Sequence, residues 1–479
     1  MELLGHDGCR VPPARTLLAA SLACLLTGGC ALVSTPHRPL RLAAQDPRAA
    51  AIETSVGALA VPRSRQEVRR HSVEIHADFT LAFVEFDDQG RFWNREQVDL
   101  LERTLEAENR RADTSGLVVV IFAHGWRHVP DVCDGNVVCF RTFLAQAHAD
   151  SAAMASVAGG RIPPKRLVAI YVGWRGLSTR VQPFEDLSFW ARKKVSHRIA
   201  DGDLVELLTR AELFVRRANA DDPDRARLIV IGHSLGGTMV HAALSNILKA
   251  RILEALDRQD RPDPRESVIR GFGDLVVLIN PAFEASLYAP LYELAGRFRR
   301  FSPLQTPVLI TVASETDGPN SFWFPLGRRV ESLFERTGDR SPRREIVTAV
   351  GNYAEFWTHR LTAAAPRPGN RPGIDAFGAT SSRCACDLPL EPIDGAEAAS
   401  LVSLLQGHGS LLPAPGGSES PYGRALLTSL KPMDPRNPFW VVRASDEVVQ
   451  GHNGIFTSYL VDFVRRVMIE SNAQHHSRP

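Results

Sequence analysis

The apolar positions of the chain fall into short unbroken runs separated by amphipathic stretches of helical length. "FTLAFVEF", "GLVVVIFAHGW", "RLVAIYVGWRG", "RLIVIGHS", "DLVVLINPA", "PVLITVASETD" and "PFWVVRAS" are rich in branched apolar residues and end at or beside Gly, Pro, Ser or Asp. Runs of this kind read as strands buried on both faces. Between them, apolar residues recur at helical spacing in "REQVDLLERTLEAENRR", which Asn94 can cap. The same holds from about Phe140 to Met154, Leu187 to Val195 and Leu204 to Ala218, after Ser234, and in the closing "FTSYLVDFVRRVMIE". Strand alternating with helix implies an α/β fold, a doubly wound and mostly parallel sheet with helices on both faces. There is no internal repeat.

Four segments depart from this pattern. Residues 1–30 contain "RTLLAASLACLLTGGC", a basic residue, an apolar run and small residues, which is the layout of an export signal. Residues 31–70 are rich in Pro, Arg and Ala and read as a tether. The folded domain is expected over 71–470. Within it, 362–437, with "APRPGNRPG", "LLPAPGGSESPYG" and "KPMDPRNP", is expected to be an irregular insertion before the last strand. It holds one short helix near Ala396 to Leu405. Residues 471–479 read as a frayed tail.

Composition narrows the partners. The 479 residues carry 56 Lys and Arg against 54 Asp and Glu, a formal charge of +2, so no overall field points to nucleic acid or to an anionic membrane, and partners must be argued from local features. Removing a leader would take Cys9 and Cys24, and Cys30 ends the signal, leaving Cys133, Cys139, Cys384 and Cys386. An even remainder in an exported chain permits two disulfides. "CDGNVVC" can close a small loop between Cys133 and Cys139, and the cysteines of "CAC" can pair across the chain. A four-thiolate zinc site is the alternative, although the spacing lacks a C-x-x-C pair.

Chemistry concentrates around Gly232-His233-Ser234-Leu235-Gly236. In a G-x-S-x-G turn the serine sits on a strained strand-to-helix junction, and the flanking glycines let backbone segments approach closely. The apolar run before Ser234 and the helical spacing after it supply that context. A serine hydroxyl needs a base, a group to orient the base, and donors for the oxyanion it creates. The N–H of Leu235 is one such donor. The second is the N–H of Trp126, after the sharp strand exit that Gly125 allows in "VVVIFAHGW".

These motifs in this order resemble the α/β-hydrolases over most of residues 75 to 470. The resemblance implies that the acid follows a later strand and that the histidine comes last. Asp317 in "SETD" matches the acid, with Glu315 and Asp446 as alternatives. His452 in "GHNGIF" matches the base, and His359 is the alternative. Inside the elbow the His233 side chain would point away from the nucleophile, which favours a structural role. "AIYVGWRG", "LSFWARKK", "INPAFEA" and "FWFPLGR" are similar to a subgroup of bacterial hydrolases without a settled substrate. Trp126 and Trp174 are expected near substrate, Phe189 and Trp190 in the core, and Lys193 and Lys194 on a solvated helix face. The N-terminus is similar to a bacterial lipoprotein signal, which implies lipidation of Cys30. The expectation is therefore an exported or membrane-anchored serine esterase with an acyl ester substrate, a membrane surface as partner, and no cofactor, metal or nucleic acid. The rival is a binding or scaffold lipoprotein that keeps the fold without turnover.

Overall fold

The structure is a computed structural model and describes Arg38 and residues 71–157, 164–177, 184–338, 342–364, 386, 388, 393–405 and 419–473. Eleven strands form one sheet in these residues: β1 (Val73–Ile75), β2 (Phe79–Glu85), β3 (Leu117–Ala123), β4 (Arg166–Gly173), β5 (Ala226–His233), β6 (Leu275–Ile279), β7 (Leu309–Ser314), β8 (His359–Ala363), β9 (Glu419–Tyr422), β10 (Ala425–Ser429) and β11 (Phe439–Ala444). The order across the sheet is β1-β2-β4-β3-β5-β6-β7-β11-β8-β10-β9. From β2 through β11 to β8 all neighbours run parallel, whereas β1, β10 and β9 pair antiparallel at the two edges. The α/β class with a large, mostly parallel sheet is as the apolar runs imply.

Side chains alternate along each strand between two cores, the period-2 consequence of the pleat. In β3, Val119 and Ile121 join one apolar cluster, while Val120 and Phe122 join the other. Helices α1 (Glu96–Asn109), α3 (Phe184–Asp201), α4 (Asp203–Ala218), α5 (Leu235–Asp257) and α6 (Ala285–Ala295) supply the first cluster. Helices α2 (Gly135–Val157) and α10 (Ser458–Ala473) supply the second. Shorter helices are α7 (Phe324–Glu331), α8 (Arg343–Val347) and α9 (Gly395–Leu405). Asn94 accepts the Glu96 N–H at 3.0 Å and so opens α1 where the capping signal places it.

The strand order reverses at β3. The chain goes from β3 outward to β4, then crosses to β5 on the other side of β3 and continues outward through β6 and β7. At such a switch point the loops leaving neighbouring strands part in opposite directions and open a crevice at the carboxyl ends of the strands. The loops that follow β3 and β5, which carry Gly125-Trp126 and Ser234, leave the sheet side by side at this point.

Several boundaries differ from expectation. The 362–437 segment is not wholly irregular: its two ends extend the sheet as the end of β8 and the β9–β10 hairpin. His359, the alternative base, opens β8. The expected tail begins too early, because α10 continues to Ala473 and Ser471 is buried. Within the expected tether, Arg38 is fully buried. It pairs with Glu74 at 2.7 Å, donates to the Pro130 carbonyl at 2.9 Å and lies 3.8 Å over the Phe83 ring.

The cysteine pairing is also corrected. Cys139 on α2 bonds to Cys386, not to Cys133. Cys133 is disulfide-bonded as well, so these three sulfurs are not zinc thiolates. Cys30 and Cys384 lie outside the described residues.

Candidate active site

β5 is buried at all eight positions and delivers Ser234, itself buried, to the carboxyl end of the sheet. Ser234 has φ +53° and ψ −118°, a conformation that non-glycine residues adopt only under constraint. The constraint is visible in its neighbours. The Ser234 N–H donates to the Ile279 carbonyl at 3.0 Å, and its carbonyl accepts from Thr238 at 3.0 Å and Ala282 at 3.2 Å. Gly236 allows the turn because a Cβ there would overlap the Ala123 carbonyl. A Cβ on Gly125 would stand 2.8 Å from the Cβ of Ser234, so the loop after β3 lies directly against the serine.

His452 Nε2 lies 2.7 Å from Ser234 Oγ. Its Nδ1 lies 2.9 and 3.0 Å from the two oxygens of Asp317. A carboxylate only accepts, so Nδ1 carries the hydrogen and Nε2 presents its lone pair to the serine hydroxyl. Asp317 is buried, and Asn320 secures it by donating from N–H at 3.0 Å and from Nδ2 at 2.8 Å. A helical turn, Pro319–Trp323, begins just after the acid and brings Asn320 back onto it.

The backbone around His452 is held as closely. Its carbonyl accepts from His233 Nε2 at 3.0 Å and from Asn280 Nδ2 at 2.8 Å. Asn280, at φ +45° just past β6, also accepts from Ser314 N–H, tying the ends of β6 and β7 to the histidine loop. Gly451 at φ +57° makes the bend before His452 and donates to Thr316 Oγ1 at 3.1 Å.

The alternative residues stand elsewhere. Asp446 accepts from Thr316 Oγ1 at 2.5 Å and supports the loop indirectly. Glu315 pairs with Arg360 at 3.0 Å. His359 is buried against Trp440 with Nδ1 on Thr358 Oγ1, and burial lowers its pKa to about 4. His233 is neutral in its buried site, its pKa well below the usual range through desolvation and then the charge of His452.

On the β3 side, His124 locks the loop that bears Trp126. Its Nδ1 donates to the Gly125 carbonyl at 2.9 Å, its Nε2 accepts from Trp174 N–H at 3.3 Å, and burial lowers its pKa to about 4. The N–H groups of Trp126 and Leu235 have no acceptor among the described residues. Leu235 is the first residue of α5, where N–H groups have no intrahelical partner. The Trp126 indole donates to Ser188 at 3.3 Å and meets Phe189 edge-on at 5.4 Å, so it bridges the loop to α3.

Two expectations about neighbouring side chains fail. Trp174 is buried, stacked on His124 at 5.6 Å and donating to the His124 carbonyl at 3.0 Å, so it braces the loop and does not line a substrate path. Lys193 is not solvated. It is buried in an ion pair with Glu284 at 2.5 Å, and Arg328 of α7 completes the cluster at 2.6 Å. Reasoning from the sequence misses Asn280, Asn320 and Thr316. Asn280 alone left a signal, a polar residue that tolerates positive φ at a strand end.

No family model, curated protein or solved structure matches the chain.

Proposed function

We propose that the chain is a serine hydrolase of the α/β-hydrolase type that cleaves an ester outside the cytoplasm. The observation that carries this reading is the unbroken relay from Ser234 Oγ to His452 Nε2 at 2.7 Å and from His452 Nδ1 to Asp317 at 2.9 Å. The chain order of serine, acid and histidine, and a strained serine at a strand-to-helix turn, support it further.

In this mechanism His452 takes the hydroxyl proton as Ser234 Oγ attacks the acyl carbonyl. The negative charge that develops on the carbonyl oxygen meets the N–H groups of Trp126 and Leu235. Asp317 stabilises the imidazolium without taking its proton. As the tetrahedral species collapses, His452 returns the proton to the leaving alcohol and an acyl-serine remains. Water then attacks this ester, giving its proton to His452, and the acid product leaves with Ser234 restored. Export follows from the signal-like leader, and lipidation of Cys30 would anchor the enzyme at a membrane.

A fluorophosphonate probe tests the proposal, because it phosphonylates only an activated serine. Labelling of the wild type and none of Ser234→Ala is the expected result. Absence of labelling across several probes would leave the scaffold reading in its place.

A further inference from the structure

A helix resting on a protein core turns its apolar side inward and its charges outward. The segment after Asp317 turns apolar side chains outward as well. Its inner side is seated by Phe324, by Gly327 packed on the Trp190 ring, and by Arg328, which reaches buried Glu284 at 2.6 Å. Its outer side carries Phe322, Trp323, Leu326 and Val330 at three- and four-residue spacing, followed by Leu333 and Phe334. Their exposure runs from 45% at Leu326 to 97% at Phe334. With about 200 Å² per aromatic side chain, the six residues present roughly 700 Å² of apolar surface. That exceeds the largest patch of an ordinary soluble monomer.

Cations border this face. Arg329, Arg336, Arg343 and Arg344 are exposed; Arg344 pairs with Glu355 at 3.1 Å, whereas Arg329 and Arg336 have no carboxylate partner among the described residues. Glu331 and Glu335 are turned to Arg328 at 2.8 and 3.5 Å. Beside the apolar face a cavity of about 720 Å³ opens between Arg329, Arg343 and Arg344, with Asn320 and Asn352 on its wall and no acidic side chain lining it.

We infer that the face from Phe322 to Phe334 docks on an anionic lipid surface, with its apolar side chains in the acyl boundary and headgroup phosphates at Arg329, Arg343 and Arg344. Aromatic and aliphatic residues bordered by arginine are the make-up of an interfacial helix, and no helix of the described residues is long and apolar enough to cross a membrane. The N-terminus orients the molecule the same way. Arg38 donates to Pro130, in the loop after β3, and to Glu85, the last residue of β2, so it is fixed at the carboxyl end of the sheet, the end from which this segment follows β7. Cys30 stands eight residues before Arg38, within about 29 Å of extended chain. A lipid on Cys30 therefore holds a membrane against the end of the sheet that bears the apolar face. This orientation rests on the export reading, whereas the exposure and charge of the face do not depend on Ser234.

The test mixes the full chain with vesicles of phosphatidylethanolamine and phosphatidylglycerol whose acyl chains are brominated, and follows quenching of tryptophan emission. A lipid anchor alone would not place Trp323 among the acyl chains. Quenching is expected in the wild type and its loss in Trp323→Phe, with melting temperature unchanged. Charge reversal in Arg329→Glu/Arg343→Glu should weaken vesicle binding by about tenfold or more. Equal quenching in wild type and Trp323→Phe, or none in either, overturns the inference. So does a dimer that separates on Leu333→Asp/Phe334→Asp, since a second copy would then cover the face. Fluorophosphonate labelling reports independently: quenching without labelling removes the enzyme and keeps the docking, and labelling without quenching does the opposite.

Discussion

The ring of His233, adjacent to Ser234 in sequence, donates from Nε2 to the main-chain carbonyl of His452 at 3.0 Å. One strand end thereby holds both the serine and the backbone of the residue proposed to activate it. A ring with its hydrogen on Nε2 makes this bond, and Nδ1 has no partner in the interior, where burial favours the neutral form. Because a displacement of about 1 Å at a reacting group can cost ~100-fold, His233→Leu is expected to lower kcat by roughly 10- to 100-fold with KM little changed. His233→Gln keeps an N–H donor and should recover part of the loss. Equal activity of wild type and His233→Leu would remove the positioning role.

Of the carboxylates that stand just past the ends of β7 and β11, only Asp317 reaches His452. Asp317→Asn presents an amide that favours the wrong imidazole tautomer, so kcat should fall by about 10³- to 10⁴-fold. Asp446→Asn only alters the support of Thr316 and should stay within several-fold of wild type. Steady-state rates on a chromogenic ester decide this, and a larger loss in Asp446→Asn would reassign the acid.

The ambiguity between those carboxylates shows what the sequence carries. Two of the three residues that the relay joins, the proposed nucleophile and base, were legible because each is marked locally: Ser234 by glycines between strand and helix, His452 by glycines after the last long apolar run. The acid was not, because Glu315, Asp317 and Asp446 share the same local context. They are separated only by partners more than forty residues away, Arg360 for Glu315 and Thr316 for Asp446. The bonds of Asn280 and His233 to His452 span 172 and 219 residues and leave no periodic trace. Lys193 and Lys194 looked like a solvated pair, yet the helix turns Lys193 inward to Glu284. The outer hairpin was hidden by Pro421, which would break a central strand but is tolerated at the edge, where β9 sits.

The Cys139–Cys386 bond ties α2 to a point 247 residues further along the chain. Closing so long a loop restricts the unfolded chain, and removing a bond of this kind typically costs about 2–4 kcal/mol. Cys139→Ser/Cys386→Ser should lose stability by about that amount in urea unfolding. Non-reducing peptide mapping should join the peptides bearing Cys139 and Cys386; a Cys133–Cys139 peptide in their place would contradict this pairing.

Acid should unfold this protein before its carboxylates titrate, because several histidines are buried neutral. Desolvation lowers the pKa of His124 and His359 to about 4 and that of His241 to about 3, from 6.5. Below pH 6.5 the unfolded chain binds protons at these sites that the folded chain refuses. Stability from these groups is complete above about pH 7 and declines from 6.5 toward 4, each contributing a slope that approaches about 1.4 kcal/mol per pH unit. Glu74, held at about 2 by His76 and Arg141, adds its own loss only below 4.5. His241 stacks on Phe283 at 4.0 Å and its Nε2 has no partner, so phenylalanine can replace it with little change in shape. Urea midpoints of wild type and His241→Phe between pH 5 and pH 7 test the argument. The variant should be the more stable at pH 5 and show a shallower dependence by about 1 kcal/mol per pH unit. Parallel dependences would mean that His241 binds protons equally in the folded and unfolded protein, and the buried-neutral account of acid sensitivity would fail at that residue.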